Sequence, residues 1–331
     1  MLTHVSIIGD GAMGTVLAGL LCEKGTATRL WGYDPKQLKA FADARENVRF
    51  LPGYTLPSTL VFEPQDRRIF QSAEMIVSAV PCQFIRGIWT RLKPHVPAHI
   101  PVVSVAKGIE NNTLLRPTEV IDQILEGHNP YAVLSGPTIA DELIRRLPAT
   151  ACVACNDEAL AQKIQFAFNT DWFRVYRNPD IVGVELAGAC KNVIAIAAGA
   201  IDGIGAGDNA KAALLSRGLA EITRLGLACG ARTETFSGLT GLGDLVTTCI
   251  SPKGRNRSFG ERIGRGETVQ QALGATESVV EGVATCQSLV AVAQSKGIEM
   301  PITEAVHRVL FEDKPVREAL QDLMSRELKS E

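Results

Sequence analysis

Lys191 and Asn192 interrupt a run, residues 187–201, in which every other position is apolar or glycine. A helix apolar on all sides belongs in a protein core, where an ammonium group is costly to place. Desolvation lowers the pKa of a buried lysine toward the range in which it exchanges protons near neutrality. Taken alone, Lys191 is better read as a structural lysine whose amine snorkels to water. Three further segments argue for chemistry. Residues 238–244, GLTGLGD, form a glycine-rich loop that ends in the carboxylate of Asp244, with Thr248 one turn further on. Residues 253–257, KGRNR, are the one compact basic cluster. Its arginine fork and asparagine amide suit a phosphate or carboxylate, although in isolation such a segment reads as a solvated loop. Glu281, in VVEG, is a fourth candidate.

The amino terminus holds a second kind of site. An apolar strand at residues 5–8 runs into Gly9-x-Gly11-x-x-Gly14 and then into an apolar helix closed by Gly25. Gly9 permits the tight turn, Gly11 lets the backbone approach a pyrophosphate, and Gly14 lets helix and strand pack closely. The following helix offers its unpaired N–H groups and positive dipole end to phosphates. Asp34 lies twenty residues after Gly14, near where an acidic residue would bond an adenosine ribose. It stands equally well as the N-cap of a helix that begins at Pro35.

These segments need elements to position them. Apolar strands are predicted at residues 27–31, 75–80, 102–105, 131–134, 149–154 and 173–176, alternating with helices that include 66–73 and 83–93. That alternation implies a doubly wound, mainly parallel sheet, with Gly9–Gly14, Lys107 and Gly136–Thr138 in turns at the carboxyl ends of its strands, where ligands bind. From residue 183 the periodicity is helical, with helices predicted over 184–201, 210–225, 258–264, 282–295, 303–311 and 316–328. The expected division is residues 1–180 and 181–331; 331 residues exceed what one core usually supports.

Composition narrows the classes. With 34 basic and 36 acidic residues the net charge is −2, which argues against a general nucleic-acid-binding surface and makes any anion site local. No run reaches the roughly 18 uncharged apolar residues of a spanning helix, and no export signal precedes the first strand. Eight scattered cysteines, mostly within apolar runs, read as structural thiols in a reducing, cytoplasmic compartment. Cys152 and Cys155 form a C-x-x-C without a second pair at zinc spacing, so no metal site is expected.

Together GDGAMG, LWGYDP, VAKGIE, SGPTIADEL, VELAGACKNVIAIAAGAIDGIGAGDNA, GLTGLGDL, GRNR, VVEG and MPITEAV, in this order along essentially the whole chain, resemble the bacterial-type NAD(P)-dependent glycerol-3-phosphate dehydrogenases. The resemblance implies a Rossmann-type α/β domain followed by an all-α domain, NAD(P)H as cofactor, and reversible reduction of dihydroxyacetone phosphate to sn-glycerol 3-phosphate. It implies Lys191 as proton donor and acceptor, Lys107 as a second active-site lysine, and Asp244 as the residue that orients Lys191. Gly136, Thr138, Asn192, Thr248, Gly254, Arg255 and Asn256, with Lys107, Lys191 and Asp244, match substrate-contacting positions. Ala12, Met13, Tyr33, Ala140, Val279 and Glu281, beside Gly9, Gly11 and Gly14, match cofactor-contacting ones, with Lys107 and Arg255 shared. A homodimer without membrane insertion is a further implication. The chain departs from the pattern at Ala12-Met13, where a serine and an aromatic are usual, at Gly254 for serine, and at Tyr33 for histidine or arginine. A related hydroxy-acid dehydrogenase and a dinucleotide-binding regulator without turnover are the rival readings.

Overall fold

The computed structural model describes residues 2–328. Its first strands and helices are β1 (His4–Ile8), α1 (Ala12–Glu23), β2 (Ala27–Trp31), α2 (Pro35–Ala44), β3 (Glu46–Asn47), β4 (Leu51–Thr55) and β5 (Val61–Phe62). They continue as β6 (Met75–Ser78), α3 (Ile85–Leu92), β7 (Val102–Ser104), α4 (Pro117–Leu125), β8 (Tyr131–Ser135), α5 (Ala140–Ile144), β9 (Ala149–Ala154), α6 (Glu158–Phe168) and β10 (Phe173–Asn178). The remainder is helical: α7 (Ile181–Ile204), α8 (Asp208–Ala228), α9 (Thr233–Ser237), α10 (Asp244–Ile250), α11 (Arg255–Gly264), α12 (Val269–Gly274), α13 (Glu281–Lys296), α14 (Pro301–Phe311) and α15 (Val316–Met324). Contacts divide the chain into two units. One holds the residues through Lys107 together with Leu115–Glu185; the other holds Gly108–Leu114 together with the residues from Leu186 onward.

The first unit is built on an eight-stranded sheet in the order β10-β9-β8-β7-β6-β1-β2-β5. Every pairing is parallel except β8 with β9. Successive strand residues enter opposite cores, as a period of two requires: Ile7, Val77 and Val103 face α1 and α6, while Ile8, Ile76 and Val102 join Trp31, Trp89 and Ile121. Strand order reverses between β1 and β6, the switch point at which open α/β sheets bind ligands.

One expectation needs correction here, and one pair of strands is new. Residues 66–73 are not a helix but one 3-10 turn, Arg68–Phe70: Ile69, Phe70 and Ala73 are buried, but Ser72 at φ 61° turns the chain out of helical conformation. Residues 46–55 form an antiparallel pair, β3 with β4, that periodicity does not announce in elements of two and five residues.

In the second unit α7 and α11 cross at backbone contact. A Cβ on Gly199 or Gly203 of α7 would overlap the carbonyl oxygens of Arg257 or Glu261, and one on Gly260 or Gly264 of α11 would overlap those of Ile196 or Ala200. Small residues four apart on both helices are what such an approach demands. α7 is long and apolar enough to pass for a membrane span, with a mean hydropathy of 1.6, yet 94% of that window is buried inside the protein. Two buried glutamates anchor neighbouring helices by serving their orphan N–H groups. Glu221 of α8 accepts from Ile302 N at 2.9 Å and Thr303 N at 2.9 Å at the start of α14. In the first unit, Glu185 accepts from Thr118 N at 2.9 Å at the start of α4.

Gly260→Ala should therefore lower stability by about 2–3 kcal/mol, the upper range for overpacking, seen as an earlier denaturant midpoint. Gly274→Ala, where an added Cβ meets nothing within 4 Å, should leave that midpoint in place.

Candidate active site

In the second unit the largely apolar α7 delivers Lys191 and Asn192 into the interior, 5% and 4% exposed. The ammonium is compensated there. Lys191 Nζ lies 3.1 Å from Asp244 Oδ1 and donates to Thr248 Oγ1 at 2.6 Å. The Thr248 hydroxyl in turn donates to Asp244 Oδ1 at 3.3 Å. Asp244 and Thr248 sit at i and i+4 on α10, one above the other on a single face. The loop read as glycine-rich is a π-helical turn, Leu239–Gly243, that leads directly into α10. Gly241 is needed in it because a Cβ there would overlap the carbonyl oxygen of Phe236.

Asn192 makes the second cluster. Asn256 Nδ2 donates to Asn192 Oδ1 at 3.0 Å, and Asn256 Oδ1 accepts from Gly282 N at 2.9 Å, at the first turn of α13. The chain of amides ties α7, α11 and α13 together, and the backbone contact of α7 with α11 brings residues 192 and 256 within reach. Arg255 is the first residue of α11 and is exposed, and Gly254 caps that helix. Glu281 is the first residue of α13; Val279, two residues before it, is 41% exposed.

In the first unit Gly9 has φ +113°, and a Cβ on Gly14 would overlap the Gly9 carbonyl oxygen, so the turn closes only with glycine at both positions. A Cβ on Gly11 would meet nothing within 4 Å. The turn thus leaves open backbone at the start of α1, as a pyrophosphate cradle requires, and NAD(P)H fits the residues present. Ala12 and Met13 open α1, so their main-chain N–H groups face the cradle whatever their side chains. Lys107 Nζ donates to Gly136 O at 2.9 Å, and Thr138 Oγ1 donates to the same oxygen at 3.1 Å. Gly136 has φ +146°, a conformation that favours glycine, and Ala140 begins α5. Tyr33, 66% exposed, lies beside the Arg91 guanidinium at 5.6 Å. Asp34 caps α2, its Oδ1 accepting from Lys36 N at 2.9 Å with Pro35 at the first helical position, as the cap reading expects.

The sequence did not reveal Asn47. It is fully buried and donates to Asp10 O at 2.9 Å and Thr15 Oγ1 at 2.7 Å, bracing the turn from behind. Gly282 N was missed as well, although the VVEG segment pointed to its neighbour. Cys152 and Cys155 are buried at the end of β9, with the Cys152 thiol pushed up to about 11 by burial.

A parallel sheet with a glycine cradle at its switch point, and a helical unit holding a buried, carboxylate-paired lysine, define a dinucleotide-dependent oxidoreductase. Residues 4–161 match the model of the NAD-dependent glycerol-3-phosphate dehydrogenase N-terminus, and residues 180–321 that of its C-terminus. The chain belongs to this family. It is 46% identical, over 100% of its own length and 99% of the relative's, to glycerol-3-phosphate dehydrogenase [NAD(P)+] of Geobacter sp. (strain M21). It is 45% identical to the protein of that name from Corynebacterium glutamicum (strain R), with both chains covered fully. Among solved structures, glycerol-3-phosphate dehydrogenase from Coxiella burnetii superposes with a TM-score of 0.95 at 37% identity, covering 98% of this chain and 99% of that one. A D-mandelate dehydrogenase, at 11% identity and a TM-score of 0.60 over 97% and 99% of the two chains, shares the fold alone.

Thr248→Val removes the hydroxyl between ammonium and carboxylate at nearly constant volume. It should lower kcat about tenfold, or about 1.4 kcal/mol, with KM for the dinucleotide unchanged, and Thr248→Ser should restore most of the loss in steady-state assays.

Proposed function

We propose that this enzyme reduces dihydroxyacetone phosphate to sn-glycerol 3-phosphate, reversibly and at the expense of NAD(P)H, with Lys191 as the proton donor. The observation that supports the reading is the buried Lys191 ammonium of α7, held on Asp244 and Thr248 of α10. The nicotinamide cofactor, when bound, supplies the hydride that the C2 carbonyl carbon receives. As that carbon is reduced, negative charge develops on its oxygen, and Lys191 delivers a proton there. General acid catalysis of this kind contributes ~10²–10⁴-fold. Asp244 fixes the direction of the ammonium and balances its charge at a buried position. In the oxidative direction the same amine takes the proton back.

Arg255 and Asn256 hold the substrate phosphate at the start of α11, where helix N–H groups add to the attraction. Binding the remote phosphate orients the reacting carbonyl and raises turnover as well as affinity. Lys107, Gly136 and Thr138 form the substrate contacts of the first unit, with Lys107 adding positive field near the carbonyl. Gly9, Gly11, Ala12, Met13, Gly14, Tyr33 and Ala140 contact the dinucleotide, as do Val279, Glu281 and Arg255. In this reading the product supplies the backbone of glycerophospholipids, the compartment is the cytoplasm, and the assembly is a homodimer.

Oxidation of NADH or NADPH followed spectrophotometrically with dihydroxyacetone phosphate tests the activity; turnover of hydroxy acids instead, or binding of cofactor without turnover, would overturn it. Lys191→Met keeps the volume of the side chain but leaves the Asp244 carboxylate without its cation, so it should unfold at a lower denaturant midpoint; the folded enzyme should retain less than a tenth of wild-type kcat with cofactor affinity nearly intact. Arg255→Ala should cost about 1.5–3 kcal/mol in kcat/KM for dihydroxyacetone phosphate and scarcely alter the rate with unphosphorylated dihydroxyacetone. Equal losses on the two substrates would place Arg255 away from the phosphate.

A further inference from the structure

The carboxylate that reads an adenosine ribose in dinucleotide-binding sheets ordinarily stands at the carboxyl end of the second strand. In this chain β2 ends at Trp31 and is followed by Gly32, which has no side chain to offer. Asp34, two residues on, is occupied as the cap of α2. The space above Gly32 is nevertheless filled by a carboxylate. A Cβ built on Gly32 would overlap Asp10 Oδ2 and stand 2.6 Å from the Asp10 carboxyl carbon. Asp10 is the second residue of the glycine fingerprint, at the end of β1, which pairs in parallel with β2 through Ile8 and Trp31. The side chain therefore reaches from the pyrophosphate turn across to the end of the neighbouring strand.

Its surroundings hold it there. Gln37 Nε2, from α2, donates to Asp10 Oδ2 at 2.9 Å, and Arg49 Nη1 donates to Gln37 Oε1 at 2.7 Å. Asn47 fixes the main chain of the same residue through Asp10 O. A carboxylate offers about four acceptor sites, so the bonds from Gln37 and from the main-chain N–H of Asp10 leave capacity for two vicinal hydroxyls. Burial holds the carboxyl above its ordinary range, which marks it as a group kept in the interior at some cost. The guanidinium beside Tyr33 does not offset this charge: Arg91 is committed to Asp66 through two hydrogen bonds of 2.7 and 2.8 Å.

We propose that Asp10, from within the fingerprint turn, accepts hydrogen bonds from the adenosine-ribose hydroxyls in place of a second-strand acid, and that it sets a preference for NADH over NADPH. A 2′-phosphate would replace one donor by an anion beside a buried carboxylate, a like-charge juxtaposition. Gly32 is part of the device, since any side chain there would displace Asp10.

The proposal rests on the reading of this chain as a nicotinamide-dependent enzyme, so its test is direct binding without the phosphorylated substrate. Calorimetric titration with ADP-ribose and with 2′-phospho-ADP-ribose is carried out on the wild type, Asp10→Asn, Asp10→Ala and Asp34→Asn, each checked for native circular dichroism. The wild type should bind ADP-ribose more tightly. Asp10→Ala should weaken ADP-ribose at least tenfold while leaving 2′-phospho-ADP-ribose unchanged or tighter, with Asp10→Asn between. Asp34→Asn, which keeps a helix cap, should leave the ratio of affinities as it is. Equal losses for both ligands on changing Asp10 would make it a brace of the turn and overturn the proposal. So would a wild type that prefers the 2′-phosphorylated ligand, or an Asp10→Ala variant that binds as the wild type does. Failure of the wild type to bind either ligand would overturn the cofactor reading together with the proposal, whereas normal binding without turnover of dihydroxyacetone phosphate would overturn the activity alone.

Discussion

The helical unit depends on one electrostatic constraint: an ammonium carried on an apolar helix must be met by a carboxylate inside the core. Lys191 and Asp244 meet at 3.1 Å with 5% and 2% of their surfaces exposed. Breaking such a pair from one side leaves an uncompensated buried charge, at a cost of roughly 3–5 kcal/mol. The surrounding sequence is shaped to prevent that. Phe236 is buried against Gly226 and Gly241, each of which has room for no side chain at that contact. This packing fixes the turn over Leu239–Gly243 and with it the start of α10. Thr248 then closes the triangle from the next turn of the same helix.

Backbone contact does for geometry what the ion pair does for charge. Where α7 meets α11, glycines on both helices let main chain touch main chain. Side chains that flank such a crossing have little freedom, and Asn192 and Asn256 flank it, bonded to one another and to Gly282 N. The amino end of α11, which carries Arg255, is thereby tied to the helix that carries Lys191. Preorganisation of this kind matters for a small phosphorylated substrate, since binding energy can assist turnover only if the groups that hold the phosphate stay fixed relative to the reacting ones.

How much of this was legible in the sequence follows from which interactions are local. Strand alternation and the glycine spacing at residues 9–14 gave the parallel sheet, because period and turn chemistry are properties of a few consecutive residues. Asp244 and Thr248 could be paired by their separation of four. Asn192 and Asn256, 64 residues apart, could not be joined by any pattern, since their contact exists only through the helix crossing. Asn47 was hidden for the same reason: it lies in a two-residue strand and acts on a turn 32–37 residues earlier. The segment 66–73 failed in the opposite direction. Its polar composition suits a surface helix, but the chain leaves helical conformation at Ser72, whose φ is 61°, a break that no side-chain pattern announces.

The departures from the family pattern also follow from packing once the backbone is known. Ala12 and Met13 lie at the start of α1, where main-chain N–H groups are available to an anion whatever the side chains, so the proposed cradle does not depend on a serine and an aromatic there. At Gly254 a Cβ would stand 3.0 Å from Thr248 O and 3.2 Å from Ser251 O. The turn between α10 and α11 is drawn in so tightly that a serine would have to push back the carbonyl of Thr248, the residue that bridges Lys191 and Asp244. Glycine at this position lets the start of α11 lie against the helix that carries Asp244 and Thr248, at the expense of the hydroxyl that a serine would bring. Gly32 obeys the same rule in the other unit: the absent side chain there is the room that the Asp10 carboxylate occupies.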